Sequence, residues 1–70
     1  MVYDYVAWKE AGTWTAHCPA ISGVYGLGST SSAAVRDLRD ALYELEEYLS
    51  ELGEGLPRAK ASVRTGELEL

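Results

Sequence analysis

The most constraining feature of this sequence is a central segment in which apolar residues recur every three or four positions. This spacing places them on one side of a helix of about twenty residues. The stripe comprises Ala34, Val35, Leu38, Ala41, Leu42, Leu45, Leu49 and Leu52. Residues that favour the N-cap position precede the segment, so the helix is predicted to begin near Thr30 and to end at Gly53, Gly55 and Pro57. The remaining chain has to supply a layer that covers this apolar face.

Three strands are predicted before the helix. Val2 to Trp8 is rich in aromatic and β-branched residues, and Lys9 to Gly12 supplies a polar turn, so the chain is expected to start with a hairpin. Thr13 to Cys18 forms the second strand of that hairpin. Val24 to Leu27 is a short apolar run that Gly26 weakens, and an edge position suits it.

Alternation along these strands predicts their faces. In the second strand one set of residues is predicted to be buried: Trp14, Ala16 and Cys18. The first strand is ambiguous, because both of its faces carry large apolar side chains. One face has Val2, Asp4, Val6 and Trp8, and the other has Tyr3, Tyr5 and Ala7. The pattern is compatible with a sheet that is covered on both sides.

The tail holds two short alternating segments, Ala61 to Arg64 and Glu67 to Leu70, and one of them is expected to be the last strand. A helix that lies back across the sheet would let this strand pair parallel to the first by a right-handed crossover. The sequence thus predicts one α+β domain over residues 1–70. It has a three-stranded antiparallel meander, one long amphipathic helix packed on the sheet, and one further strand.

Size and charge limit the possible partners. A chain of 70 residues buries only about 60% of its unfolded surface, so a homo-dimer or higher oligomer is expected, most simply through a sheet face. Six basic against eleven acidic residues give a net charge of -5, which disfavours direct binding to nucleic acid or anionic lipid.

A cytoplasmic location is expected. The single cysteine excludes an internal disulfide, and Asp4, Lys9 and Glu10 interrupt the apolar stretch that a secretion signal needs. No window approaches the roughly 18 apolar residues of a membrane helix.

The order of segments and several short motifs resemble the HicB-like antitoxin family. These motifs are Trp14-Thr15-Ala16, Pro19-Ala20-Ile21-Ser22-Gly23, Gly28-Ser29-Thr30 and Ala33-Ala34. The sequence departs from the family at Ser22, where a second proline is frequent, and at Ser32 and Ala33, where a carboxylate is common. The resemblance implies a strand-strand-strand-helix-strand module that is related to a truncated ribonuclease H fold, without a C-terminal DNA-binding segment.

The resemblance also implies a function. It predicts a non-catalytic binding module like the antitoxin of a type II toxin-antitoxin pair, which neutralises a small basic RNA-cleaving toxin of HicA type. The acidity of the chain would complement such a partner. The alternative is a standalone structural or ligand-sensing homo-oligomer with no toxin partner, and a minimal nuclease is a third hypothesis.

The residue types that often take part in catalysis are not expected to form a catalytic site in this chain. His17 and Cys18 are adjacent on a strand and point to opposite faces, so the prediction is a surface histidine beside a small buried thiol. They are also too few to complete a zinc site. Asp4 stands alone among the carboxylates of the three predicted early strands and cannot hold two magnesium ions. It is predicted to be a strand-edge or interface charge.

A group of glycines before the helix gives no nucleotide site. Gly23, Gly26 and Gly28 fit neither a dinucleotide fingerprint nor a P-loop, so turn geometry is the preferred explanation. No enzyme activity, cofactor or metal is therefore expected.

The partner surface is predicted on the outer side of the long helix. Acidic residues crowd its C-terminal half, where the macrodipole favours cations. A solvated acidic face is one explanation. The other is contact with a basic partner, in which Tyr43 is the anchor among neighbouring carboxylates. The residues of this hypothesis are Tyr43, Glu44, Glu47 and Glu51.

Overall fold

The computed structural model of the chain describes residues 2–57 and 65–70. The elements follow in the order β1 (Val2–Glu10), β2 (Thr13–His17), β3 (Tyr25–Gly28), α1 (Ser31–Glu51) and β4 (Gly66–Glu69). The strands form one sheet in the order β3-β2-β1-β4, and every neighbouring pair is antiparallel. This is the predicted α+β architecture, and β3 takes the predicted edge position.

The first hairpin has a longer strand and a tighter turn than the sequence predicted. β1 continues to Glu10, which pairs with Thr13. The turn is reduced to Ala11 and Gly12, whose φ angles of 51° and 83° both lie in the left-handed region. A two-residue turn of this kind matches the twist of the flanking strands, so pairing continues up to the turn.

The last strand corrects the expected topology. Glu67 to Leu70 is the tail segment that supplies it, as β4, whereas Ala61 to Arg64 lies outside the described residues. β4 runs antiparallel to β1 and not parallel to it. The prediction assumed a direct step from the end of the helix into the strand. Residues 52–65 contain enough chain to span the length of the helix, so β4 enters the sheet from the opposite end.

The residue before β4 fixes how β4 meets β1. The N–H of Thr65 donates to the carbonyl oxygen of Tyr5. The hydroxyl of Thr65 accepts the N–H of Ala7 at 2.8 Å. These bonds set the register in which Tyr3 lies opposite Leu68.

Both ends of α1 are capped as the sequence predicted. At the start, the Oγ1 of Thr30 accepts the N–H of Ala33 at 3.1 Å. At the end, Gly53 has a φ of 77° and donates to the carbonyl of Ser50, and Glu54 donates to the carbonyl of Leu49. This pair of bonds is a Schellman motif, which a glycine in the left-handed conformation allows.

The core lies between α1 and one face of the sheet, which we call the covered face. Its buried residues are Tyr3, Ala16, Cys18, Ile21, Ala34, Leu38, Leu42, Leu56 and Leu68. The helix contributes the predicted stripe, of which Leu38 and Leu42 are fully buried. Leu52 is an exception, since it is exposed. It is the C-cap residue, one position beyond the end of α1.

Two glycines of β3 allow the helix to approach the sheet. A Cβ on Gly26 would overlap the carbonyl oxygen of Ala34, and one on Gly28 would lie 2.6 Å from the amide nitrogen of Ala34. The prediction that turn geometry explains these glycines is therefore wrong for both, because they lie in a strand against helix backbone. It is correct for Gly23, whose φ is 84°.

A side chain of the helix also satisfies part of the sheet edge. The carboxylate of Asp37 accepts the N–H of Leu27, in the edge strand β3, at 2.9 Å. An edge donor that is already bonded cannot pair with another strand.

Candidate partner-binding site

The outer side of α1 carries the sequence-predicted site. Tyr43 is 45% exposed, and Glu44, Glu47 and Glu51 are also exposed. In the structure four residues surround Tyr43, two of them from the predicted set and two new. A shallow, open depression is lined by Tyr43, Glu46, Glu47, Ser50 and Glu51. Three predicted residues are thus together, whereas Glu44 lies outside the depression.

Sequence reasoning missed Glu46 and Ser50 at this site. Glu46 is half-buried and therefore lies on the flank of the helix, away from the centre of its outer side. The signal for both residues was available, since positions 43, 46, 47, 50 and 51 are separated by steps of three and four. We call the five lining residues, Tyr43, Glu46, Glu47, Ser50 and Glu51, the acidic helix site.

Electrostatics at the acidic helix site are unfavourable within the chain. The last turn of α1 has no basic residue, and three carboxylates line the depression. The C-terminal end of a helix carries a partial negative charge, so these carboxylates repel both the dipole and one another. A cationic partner would relieve this repulsion.

The second surface is the face of the sheet turned away from α1, which we call the open sheet face. The strand register assigns to it Val2, Asp4, Val6, Trp8, Glu10, Thr13, Thr15, His17, Tyr25, Leu27, Glu67 and Glu69. Among the residues that the structure describes, α1 packs only against the other side. Which face of β1 the helix covers was open in the sequence, and the answer is the face of Tyr3, Tyr5 and Ala7.

Aromatic rings form a row across the open sheet face. His17 stacks on Tyr25 with ring centroids 5.3 Å apart and an interplanar angle of 29°. On its other side Trp8 meets His17 edge-on at 6.2 Å and 82°. His17 is consequently half-buried, and the prediction of a surface histidine needs this correction. Its Nδ1 is buried and has no hydrogen-bond partner in the described part of the chain.

The structure separates His17 from Cys18, as the sequence predicted. His17 lies on the open sheet face, whereas the Cys18 side chain is buried in the core. Burial raises the pKa of the Cys18 thiol above its ordinary value of 9.0, and the nearby Asp4 carboxylate raises it further, against backbone hydrogen bonds from Ala20 and Ile21. A protonated, buried thiol is a poor nucleophile.

Asp4 lies in a different environment from the one predicted. β1 is a central strand, and Asp4 is only 4% exposed, so it is not a strand-edge charge. It is also not the only carboxylate of the early strands, because β1 extends to Glu10, about 20 Å away along the strand. The antiparallel β4 brings Glu67 directly opposite Asp4. This pairing was invisible as long as the direction of β4 was unknown.

Two kinds of site are absent from residues 2–57 and 65–70, the part of the chain that the structure describes. No group of three or more His, Cys, Asp or Glu side chains there could hold a metal ion. No helix in the same ranges is long and apolar enough to cross a membrane.

Comparison with known proteins gives a likeness in structure and none in sequence families. No protein-family model and no curated protein matches the chain. A chain of the solved structure titled "HicA3 and HicB3 toxin-antitoxin complex" is similar, with a TM-score of 0.66 and 22% sequence identity. The match covers 89% of this chain and 72% of that chain. At this identity the likeness shows the fold.

Proposed function

We propose that this chain is a non-catalytic binding module with the role of an antitoxin, which neutralises a small basic RNA-cleaving toxin. The observation that carries the proposal is an exposed aromatic side chain, Tyr43, among the carboxylates of Glu46, Glu47 and Glu51. Two further findings support this class of function. One is the resemblance of several motifs to HicB-like antitoxins, and the other is the fold shared with a chain of a toxin-antitoxin complex.

The acidic helix site has the chemistry to bind arginine. Carboxylates accept the paired N–H groups of a guanidinium, and the face of a tyrosine ring attracts the same cation. Tyr43 would supply much of the affinity, since large aromatic side chains often dominate an interface. Glu47 and Glu51 are solvent-exposed, so they would mainly speed association and make it sensitive to salt.

The charge of the chain favours the antitoxin role over the toxin role. A toxin that cleaves RNA has to approach a phosphate backbone, and basic surfaces serve that purpose. This chain has a net charge of -5. It would repel RNA but attract a basic protein that binds RNA.

The absence of catalysis is part of the proposal and has its own test. Asp4 is nine-tenths buried or more, and its partner across the strands is Glu67. Neither is expected to support hydrolysis of RNA with magnesium or manganese. Cleavage that survives rigorous purification and disappears in Asp4→Asn would show that the chain is a nuclease.

The binding test is co-expression with the protein encoded by the neighbouring reading frame, followed by affinity measurement and a growth-rescue assay. A Tyr43→Ala, Glu47→Lys double variant is expected to weaken binding at least about tenfold and to lose rescue. The matched control is Tyr48→Ala, Glu54→Lys. It removes an exposed tyrosine and reverses one charge outside the depression.

The control variant is expected to bind like the parent. Circular dichroism and thermal unfolding establish that both variants are folded. If the Tyr43→Ala, Glu47→Lys protein is folded and binds as tightly as the parent, the acidic helix site is not the contact surface, and the open sheet face becomes the first place to test.

A standalone structural homo-oligomer without a toxin partner is the second candidate. The aromatic row of Trp8, His17 and Tyr25 favours it, because Trp8 and Tyr25 are exposed and a surface of this kind can pair with itself. Purification of the chain from its native host separates the two candidates. A small basic protein that co-purifies in fixed proportion supports the antitoxin, and a homo-oligomer alone supports the second candidate.

A further inference from the structure

The open sheet face carries negative charge at both of its ends. At one end, Glu67 and Glu69 of β4 lie opposite Asp4 and Val2 of β1 and form an acidic corner. At the other end, Glu10 is the last residue of β1. Within the four described strands, no lysine or arginine belongs to this face. Its formal charges at pH 7 are therefore all negative.

The middle of the open sheet face is apolar. Seven large apolar or aromatic side chains are exposed in residues 2–57 and 65–70, and four of them lie on this face. Val2 is at the acidic corner, and Trp8, Tyr25 and Leu27 lie between the two acidic ends. An exposed apolar centre with a charged rim is the composition of a surface that binds another protein.

The open sheet face has about the size of one helix. β1 is nine residues long, and the other strands have four or five residues. With about 3.3 Å per residue and about 4.8 Å between strands, the face covers roughly 350 Å². A helix of about 20 residues is about 30 Å long and about 11 Å wide, which gives a similar footprint. The same area falls short of the roughly 800 Å² that each partner buries in a specific dimer, so a second copy is a poorer fit.

We propose that the open sheet face binds an amphipathic basic helix of another protein, which lies along β1. The sheet would then have a helix on each side, as in many layered folds. The apolar stripe of the bound helix would cover Trp8, Tyr25 and Leu27. Its lysine or arginine side chains would meet the carboxylates at the two ends of the face.

The positions of the carboxylates define the spacing of the cations. Asp4 and Glu10 mark the two ends of the face, and they are about 20 Å apart along β1. A helix rises 1.5 Å per residue, so about thirteen residues cover this distance. The matching helix has cations about thirteen positions apart and apolar residues between them at steps of three and four.

The charge of the face disfavours other occupants. Nucleic acid and anionic lipid would be repelled by the carboxylates at both ends. The helix of a second copy would bring Glu47 and Glu51, on the outer side of α1, against the same carboxylates. The proposal is also independent of the acidic helix site, because that site lies on α1, which packs on the covered face.

The experiment uses a synthetic peptide of about 20 residues as the probe. It has two arginines near each end, about thirteen positions apart, and leucines between them at steps of three and four. Calorimetric titration into the full chain is expected to give one bound peptide and micromolar affinity, and circular dichroism is expected to show a gain in helix. A control peptide with glutamate in place of each arginine is expected not to bind. Equal binding of both peptides would contradict the role of the carboxylates.

Two matched pairs of variants locate the bound peptide. Leu27→Ser and Leu52→Ser each remove a leucine that is 58% exposed, but only Leu27 lies on the open sheet face. Glu69→Lys and Glu51→Lys reverse the charge of an exposed glutamate on that face and on α1, respectively. Leu27→Ser is expected to weaken binding at least about tenfold, and Glu69→Lys about threefold at low salt. Leu52→Ser and Glu51→Lys are expected to bind like the parent.

Thermal unfolding confirms that each variant is folded, and three results would overturn the proposal. A parent that does not bind the peptide removes the basic helix as the occupant. Equal losses in both members of each pair, or losses only in Leu52→Ser and Glu51→Lys, place the peptide elsewhere on the chain. A parent that is dimeric by light scattering and becomes monomeric in Leu27→Ser assigns the face to a second copy.

The proposed antitoxin role can fail without affecting this proposal. The Tyr43→Ala, Glu47→Lys variant tests that role, and it is expected to bind the peptide like the parent, because both changes lie on α1.

Discussion

The two faces of the sheet are built from alternate residues of the same strands, yet they differ in what they require. On the covered face, Gly26 contacts helix backbone and Leu38 is fully buried. On the open sheet face, Leu27 is 58% exposed, and the rings beside it contact one another. Position 26 therefore requires a residue without a side chain, whereas the side chain at position 27 is not limited by the helix. The covered face determines whether the chain folds, and the open face is available for partners.

The largest effect on stability is expected from Gly26→Ala. The added Cβ would overlap the carbonyl oxygen of Ala34 and the amide nitrogen of Leu38. These atoms belong to the backbone of α1, which cannot give way as a side chain can, so the cost is expected to exceed about 3 kcal/mol, the upper end for overpacking. Urea unfolding measures it. The control is Gly55→Ala, where nothing lies within 4 Å, and an equal loss there would contradict the helix-strand contact.

Truncation of two leucines compares the faces directly. Leu38→Ala removes a fully buried side chain and is expected to cost about 3 kcal/mol, because it leaves a cavity between helix and sheet. Leu27→Ala removes an exposed one and is expected to cost less than about 0.5 kcal/mol. Both are measured by urea unfolding at concentrations where the chain is monomeric. Similar losses would show that the open face also holds the monomer together.

A smaller effect is expected from the contact between helix and sheet edge. Asp37→Ala removes the acceptor of the Leu27 N–H and is expected to cost about 1 kcal/mol, since the bond is charge-assisted but lies near solvent. Asp40→Ala is the control, an exposed aspartate nearly one turn further along α1. Thermal unfolding of both variants gives the difference, and the absence of one would mean that water replaces the carboxylate.

The smallest effect concerns the thiol beneath the sheet. Burial raises the pKa of Cys18 in the folded chain above the 9.0 expected when it is unfolded. The folded state therefore disfavours the thiolate, and stability relative to Cys18→Ala is expected to be constant below pH 9.0 and to decrease as the pH rises above it. Native-state labelling with a thiol reagent is also expected to be slow and to become fast in urea. Rapid labelling of the folded chain would show that the covered face opens at Cys18.

The helix was predictable from sequence because its signals are local. The apolar stripe around Leu38, the Thr30 cap and the glycine after the last turn all lie within one continuous segment. Strand β2 was equally predictable, since Ala16 alternates with polar neighbours.

The direction of β4 and the identity of the open face were not predictable, because both depend on contacts between distant residues. No local sequence signal near Glu67 indicates whether β4 pairs parallel or antiparallel to β1. In β1, both residue sets are apolar enough to be buried, and only the approach of α1 decides between them. The aromatic row has the same origin, since His17 lies between Trp8 and Tyr25 only in the observed register. The acidic helix site was predictable in outline, but its role remains a prediction.

The pairing of Tyr3 with Leu68 joins two segments that are far apart in sequence, and this has a consequence for the order of folding. The β1-β2 hairpin, β3 and α1 contact one another over short stretches of sequence, so they can form early and quickly. The β1-β4 ladder has to close a loop that contains β2, β3 and α1, and loop closure of this kind slows folding. During synthesis, β1 would leave the ribosome well before β4, its partner in the sheet. Until β4 arrives, β1 has an unpaired edge, and that interval is when this sheet is most exposed to aggregation.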